Sequence, residues 1–484
     1  MIYIVAGFIM PRLIDRHLGK EILGIWDFGW SIVSYFSLAS FGVTSSINRF
    51  VALHRAEGDL AGINQSVSSV ICIMSLVATL MIALTIGAVL VVPKVMSDRI
   101  GNHQNEVQCV IFFLGLSTAV QAACSTFAGV LTGCHHWKVH NGLHAGGYAM
   151  TVLGMVTILT LGFGIRTLAM VYFLSESIPW MVRIRLAYWA CPGLSVRFKN
   201  ADWPTARSML NFGGKSFIPD IADLLVNQTV SVLIFGTLGP PALALYSRPR
   251  SLVLQVRTLV FKMAAVLVPS ASSLQKLGHH QSIRDLTIKA TRFAAFLTLP
   301  LTTLFVISGG TVLEIWMGPR YKEHLLFAIL AAGYASFIIQ IPTLNILVAL
   351  NLHGRTALAN LFGSICTAVA VAVVVRVFHR GLPAVAAAAT LPMAFVYAIY
   401  VPIYTCRCLE IPLRRYLLKG MAEPLLAMAP FAACLIAVRF VFPDNPYLKL
   451  AVGGGVGSIY LGIYYWRKVL PQSLKTLVRS RLAG

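Results

Sequence analysis

The feature that most constrains this chain is a rhythm of apolar runs, each about 20 residues long, recurring from end to end of its 484 residues. A run of that length crosses the hydrocarbon core of a bilayer as a helix. Hydrocarbon offers the backbone no partner, so each run must satisfy its own N–H and C=O groups. Composition agrees: 57% of the residues are apolar and 12% charged, where soluble domains carry roughly 25% charged residues. So few charges cannot clothe a soluble surface of this size. A soluble enzyme, a secreted disulfide scaffold and a disordered chain are excluded. The fold class is an all-α polytopic membrane protein.

Fourteen transmembrane helices are predicted, at 1–18, 22–47, 67–92, 107–131, 142–164, 167–187, 211–238, 242–268, 293–316, 325–350, 356–378, 382–404, 424–442 and 450–466. Pro249, Pro342 and Pro392 lie within spans and predict kinks rather than ends. Lys and Arg number 39 against 17 Asp and Glu, for a net charge of +22. In a soluble chain that balance points to nucleic acid. Here it follows from the excess of basic residues in cytoplasmic loops, and no nucleic-acid partner is implied. With the N-terminus inside, 27 of the 39 fall on the inner side, chiefly in 183–215 and 248–292. Both termini are therefore predicted to be cytoplasmic. The N-terminus lacks the basic region of a cleavable signal peptide.

One segment repeats. HLGKEILGIWDFGWSIV from His17 aligns without gaps on TLGPPALALYSRPRSLV from Thr237, 220 residues later. Leu18, Gly19, Leu23, Ser31 and Val33 meet Leu238, Gly239, Leu243, Ser251 and Val253, and Gly58 meets Gly278. Each copy joins two spans, the first and second, then the seventh and eighth. An offset of six spans gives two halves of the same orientation, a transporter architecture. The same alignment leaves the first span shorter than the seventh, so a start upstream of Met1 is expected.

Charges inside spans are the informative residues, because each costs roughly 2.5–3.5 kcal/mol at a helix centre on insertion scales. Span eight carries Arg248, Arg250 and Arg257, with Arg250 and Arg257 seven apart on nearly one face. Guanidinium grips phosphate through two parallel hydrogen bonds, so three arginines suit a pyrophosphate or an acidic sugar. The plainer reading of Arg257 is snorkelling to the interface. Span seven carries Asp220, Asp223 and Asn227 at i, i+3 and i+7. Two close carboxylates in low dielectric raise each other's pKa, which suits a proton carrier, though a salt bridge explains them equally well. Asp27 opens a stripe with Ser31 and Ser34, Glu176 stands alone in span six, and Ser117, Gln121 and Ser125 share a face of span four. Arg12, Asp15 and Arg16 lie at the outer end of span one, and Arg49 at the inner end of span two. Polar stripes in a bundle also serve as glue between helices.

Other motifs fail. Gly213-Gly214-Lys215-Ser216 imitates the end of a P-loop, but Met209 stands where its first glycine is required. His135, His136, His140 and His144 follow Cys134, and Cys406 and Cys408 form a CxC, yet neither has the second ligand pair of a metal site. Nine cysteines, several inside apolar runs, read as small buried residues. No metal and no cofactor is expected. The Asn227 sequon lies within a span and is discounted.

RHLGKEILGIWDFGWSIVSYFSLASFGVTSSINRFVALHRAEGD, with its Leu-Gly turn, Gly24 to Trp26 and terminal Arg49, resembles the second-helix region of Wzx-type bacterial polysaccharide and O-antigen flippases. These belong to the multidrug/oligosaccharidyl-lipid/polysaccharide exporter superfamily. LTGCHHWKVHNGLHAGG, with Gly133 and Asn141, resembles the family's fourth loop, and LGPPALALYSRPRSLV followed by Pro269 its eighth helix. The resemblance implies two six-helix bundles around a central cavity plus two C-terminal helices. It divides the chain into 1–190, a connection at 191–210, 211–406, and 407–484 with helices 13 and 14 and a basic tail. It implies transfer of a polyprenyl-pyrophosphate-linked glycan from the inner to the outer leaflet of the bacterial inner membrane, driven by an ion gradient. Arg12, Arg16, Arg49, Arg248, Arg250 and Arg257 would be the cavity cations. Asp27, Glu176, Asp220, Asp223 and Asn227 would couple ions or line the cavity. Membrane lipid and the polymerase and chain-length proteins of the same pathway would be its partners. The competing readings are a cation-coupled small-molecule exporter on the same fold, which would favour acidic and aromatic cavity residues, and a membrane glycosyltransferase, which would need a large outer loop.

Overall fold

The computed structural model describes residues 2–40, 43–215, 218–378, 381–442, 445–469 and 475, with side chains described outside 2–5, 43–45, 212–215 and 218–220. Among the described residues there is no strand, and eleven helices are long and apolar enough to cross a membrane. The remaining three predicted spans are helical as well, at Ile2–Leu18, Ile165–Ala190 and Pro446–Tyr464. They fall short because the first has 17 residues, the second carries Arg166, Glu176, Arg183 and Arg185, and the third is rich in glycine.

The chain forms two compact units, Met1–Ala244 and Leu245–Gly484. The first contains α1 (Ile2–Leu18), α2 (Lys20–Phe36), α3 (Val43–Ala56), α4 (Leu60–Val95), α5 (Ser97–Ile100), α6 (Gln104–Gly133), α7 (Trp137–Thr160) and α8 (Ile165–Ala190). Then come α9 (Trp203–Lys215), α10 (Ile218–Leu224), a π-helical turn at Leu225–Thr229 and α11 (Val230–Leu238). α6 is the centre, packed by α4, α8, α2 and α3. α2 also packs on α11: Phe28 stacks on Phe235 with ring centroids 3.7 Å apart, and Tyr35 shares a 2.6 Å hydrogen bond with Thr229. Gly24 is required there, since a Cβ would overlap the Pro240 carbonyl.

The segment between α8 and α9 lies along α4, held by polar side chains of that helix. Asn64 Oδ1 accepts the Ser195 N–H at 2.8 Å, Ser68 Oγ that of Arg197 at 3.3 Å, and Ser69 Oγ that of Asp202 at 2.9 Å. Asp202 then caps α9, accepting the Thr205 N–H at 2.9 Å and its hydroxyl at 2.8 Å. These two bonds hold the Asp202 carboxyl below its ordinary pKa.

The second unit begins within α12 (Pro240–Ala264) and continues through α13 (Leu267–Lys276), α14 (His280–Met317), α15 (His324–Ala349) and α16 (Gly354–Arg376). α17 (Leu382–Phe395), a π turn at Val396–Tyr400 and α18 (Val401–Cys408) form the next span. α19 (Leu413–Leu417), α20 (Glu423–Ala427), α21 (Ala429–Val441) and α22 (Pro446–Tyr464) complete it, with π turns at Leu418–Ala422 and Tyr465–Val469. The segment after Cys408 is fixed to α14 and α15. The Tyr416 hydroxyl, fully buried, bonds Gln340 Oε1 at 2.8 Å, Thr343 Oγ1 at 3.0 Å and Thr291 Oγ1 at 3.2 Å. Ion pairs Arg284–Glu410, Arg415–Asp285 and Arg292–Glu423 line the same seam of α14.

The repeat is present in the backbone. Gly19 has φ 88°, ψ 167° and Gly239 φ 86°, ψ 175°, a left-handed region that favours glycine. Each N–H bonds the carbonyl four residues back at 3.0 Å, to Asp15 and to Phe235. Gly58 and Gly278 match likewise, at φ 72° and 69°. α4 and α14 start 220 residues apart, as do α6 and α15. α7 and α16, and α8 and α17, start 217 apart.

Candidate substrate-binding site

In the first unit, helices α3, α4, α6, α7 and α8 and the turn after α2 enclose a cavity of about 590 Å³. Its polar side chains are hydroxyls and amides, Ser37 and Ser40 after α2, Asn48 on α3, and Thr118, Gln121, Ser125 and Thr132 on α6, set in an apolar wall of Met74, Met81, Ala122 and Ala128. The hydroxyl protons are spent locally. Ser37 donates to the Ser34 carbonyl, Ser40 to that of Ser37 and Ser125 to that of Ala122, each at 2.7 Å. Such back-bonding leaves the oxygens as acceptors, which suits a ligand rich in O–H donors.

Beside that wall stand His140 of α7 and Trp180 of α8. The Arg183 guanidinium lies 3.9 Å from the centroid of the Trp180 ring and is only 2% exposed, a desolvated cation on an aromatic face. Glu176, Trp180 and Arg183 are spaced i, i+4, i+7, so acid, ring and guanidinium share one face of α8. Glu176 is half-buried and accepts from Thr151 Oγ1 of α7 at 3.4 Å. α7 approaches closely here, because Gly147 faces Pro179 where a Cβ would have no room.

Arg183 is the residue that sequence reasoning missed. Its place near the end of a span put it among the inner-side basic residues, where charge counts toward orientation. The signal that finds it is its seven-residue spacing from Glu176.

In the second unit, Arg248 of α12 is 4% exposed, while Arg250 and Arg257 are half-buried. Arg257 lies 5.0 Å from the ring centroid of Phe337 on α15, a cation–π contact rather than a free interfacial charge. α12 stays helical through Pro249.

The remaining predicted residues are dispersed. Arg12 and Arg16 on α1 and Arg49 on α3 are exposed, and none of them lines the first-unit cavity. Asp27 of α2 is half-buried and its carbonyl accepts from Ser31 at 2.9 Å, while Ser34 bonds the Trp30 carbonyl. Those serines satisfy their own helix. Asp223 of α10 is half-buried, and Asn227 is buried inside the π turn, its carbonyl accepting from Ser231 at 3.0 Å. The π turn breaks the regular i, i+3, i+7 register on which the span-seven stripe was based. The Asp220 side chain lies outside the described residues. Of the loop histidines, His140 lines the cavity, His135 occupies a turn at φ 64° and His136 precedes α7.

Residues 63–326, more than half of the chain, match the family described as polysaccharide biosynthesis protein. The uncharacterised membrane protein EpsK of Bacillus subtilis (strain 168) is 22% identical over 98% of this chain and 94% of its own length. Among solved structures, a multidrug resistance MATE family transporter in an inward-facing conformation superposes with a TM-score of 0.69 at 13% identity, covering 86% of this chain and 95% of that one. The lipid II flippase MurJ in an inward closed conformation superposes with a TM-score of 0.67 at 11% identity, covering 96% and 97%. The chain belongs to the polysaccharide biosynthesis protein family and has the fold of the multidrug/oligosaccharidyl-lipid/polysaccharide exporter superfamily.

Proposed function

We propose that this multi-pass membrane protein is a flippase that carries a polyprenyl-pyrophosphate-linked oligosaccharide from the inner to the outer leaflet of a bacterial inner membrane, for surface polysaccharide synthesis. The observation that carries the reading is the burial of guanidinium groups inside spans, Arg183 at 2% and Arg248 at 4% exposure. Arginines inside spans are costly and mark functional sites, and the guanidinium fork matches phosphate geometry. Family membership and the likeness to a lipid II flippase support the same reading.

In this mechanism Arg248, Arg250 and Arg257 bind the pyrophosphate, and the hydroxyls and amides of the first-unit cavity are sites for sugar hydroxyls. Arg12, Arg16 and Arg49, all exposed, meet the anionic head on its way in or out. The protein alternates access to the two sides, with both of its termini in the cytoplasm. Asp27, Glu176, Asp220, Asp223 and Asn227 supply the protonatable or ion-binding groups of the return step. No covalent step is required of the protein, so it acts as a transporter and not an enzyme.

The second reading, a cation-coupled exporter of small molecules, draws on the likeness to MATE transporters. The first-unit cavity favours the glycan, because hydroxyls and amides outnumber carboxylates on its wall. Mass spectrometry of lipids that co-purify in mild detergent tests the choice. A polyprenyl-pyrophosphate glycan, lost from the Arg248→Ala/Arg250→Ala variant along with export, is the expected result. Only bulk phospholipid, equal in both proteins, overturns it.

A further inference from the structure

Arg355 is the second residue of α16, and Arg407 is the last but one of α18. A short connection at 377–381 makes α16 and the α17–α18 span antiparallel neighbours, so both arginines lie at the same end of the pair. Together they bound a cavity of about 430 Å³ within the second unit.

Three features of this cavity converge. Both arginines are exposed, and among the described residues neither forms an ion pair with a carboxylate. Beneath them Tyr400 and Tyr404 stack with ring planes 9° apart, and the Tyr404 hydroxyl donates to the Leu352 carbonyl at 2.8 Å, which fixes that ring against the chain entering α16. Further along the same helix, Phe395 and Ile399 are 63% and 46% exposed, an apolar wall open on the outside of the bundle. From Arg407 to Phe395 is twelve residues, about 18 Å at a helical rise of 1.5 Å per residue. Cations, then aromatic rings, then an open apolar wall is the order of chemistry met on descending from a membrane interface into hydrocarbon.

We propose that this cavity binds an anionic phospholipid, its phosphate between Arg355 and Arg407 and an acyl chain along Ile399 and Phe395. A free phosphate would use the arginines alone and leave the apolar wall unexplained. A zwitterionic lipid would place its own cation against two guanidinium groups. Basic clefts between transmembrane helices recognise acidic headgroups on these terms. This site is separate from the arginines of α12 and does not depend on which substrate the protein moves.

The test is binding of phosphatidylglycerol to the delipidated full-length protein, followed by native mass spectrometry, with phosphatidylcholine and inorganic phosphate as comparison probes. Phosphatidylglycerol is expected to bind saturably, and Arg355→Gln/Arg407→Gln to weaken it about thirtyfold, each interfacial charge contributing a factor of about five. The Arg355→Lys/Arg407→Lys variant retains charge and is expected to stay within about fivefold of the parent. Equal binding of phosphatidylglycerol by the parent and the Gln variant overturns the proposal. So does parity between phosphatidylcholine and phosphatidylglycerol, and so does displacement of the lipid by millimolar inorganic phosphate.

Discussion

The two units carry cavities at corresponding places, both mainly apolar, and differ in the polar side chains set into the wall. The first holds about 590 Å³ and the second about 540 Å³. Ser40, Met74 and Ala122 line the first, and Val260, Ala294 and Pro342, each 220 residues later, line the second. The helices that make a cavity are thus in register while their side chains differ. In the first, hydroxyls face the space and a cation sits behind an aromatic ring. In the second, Val260, Met263, Leu267, Leu286, Phe293 and Leu297 make an apolar wall, with Lys289 and Arg292 as its charges. Arg292 is already paired with Glu423 at 2.6 Å. The lesson is that backbone register sets where a cavity lies, and a handful of side chains sets what it accepts.

The sharpest way to break this contrast is to remove its cations in turn. Arg183→Ala is expected to lower polysaccharide export about a hundredfold, near 2–3 kcal/mol for a lost charge-assisted contact. Arg292→Ala, which removes a half-exposed pair, is expected to stay within about threefold. Export assayed per folded protein in the membrane checks both, and parity between the two variants would end the assignment of the first cavity to substrate. A smaller effect is expected from exchanging one corresponding pair of wall residues. Ser40→Val removes a single acceptor and should weaken glycan retention about fivefold, close to 1 kcal/mol, while Val260→Ser leaves it unchanged. Lipid co-purification reads the difference.

The smallest effect concerns the strap between α8 and α9, which has no counterpart among the wall residues of either cavity. Asp202 has its carboxyl pKa held down by the Thr205 N–H and hydroxyl. A depressed folded-state value means the carboxylate adds stability above its ordinary range, and that the addition is lost as pH falls through the folded value. Hydrogen exchange at the first turn of α9 should therefore accelerate, beyond the intrinsic trend, as pH falls below about 4. Asp202→Asn should flatten that dependence.

Much of this architecture is legible in the sequence because hydrocarbon is an exacting solvent. Apolar runs announce helices, and Gly19 and Gly239 announce the repeat, since their shared φ is one that side chains resist. The site is less legible for equally physical reasons. Arg183 looks like a loop charge because linear position near the end of a span says nothing about burial behind Trp180. Arg257 looks free to snorkel until Phe337, eighty residues on, is seen beneath it. The stripe through Asn227 depends on an uninterrupted 3.6-residue period, and the π turn at Leu225–Thr229 removes that premise without any proline or glycine to mark it.

The change of offset from 220 to 217 marks where the two halves stop matching residue for residue. The two halves share left-handed glycines, helix starts and a cavity over a long stretch. The offset changes at the joint between α6 and α7 in the first half and between α15 and α16 in the second, where α6 runs through Gly133 but α15 stops at Ala349. That extra turn carries Thr132 to the wall of the first cavity. A three-residue difference at one inter-helix joint is thus where the two halves stop matching in outline, and an alignment of one half on the other needs a gap there.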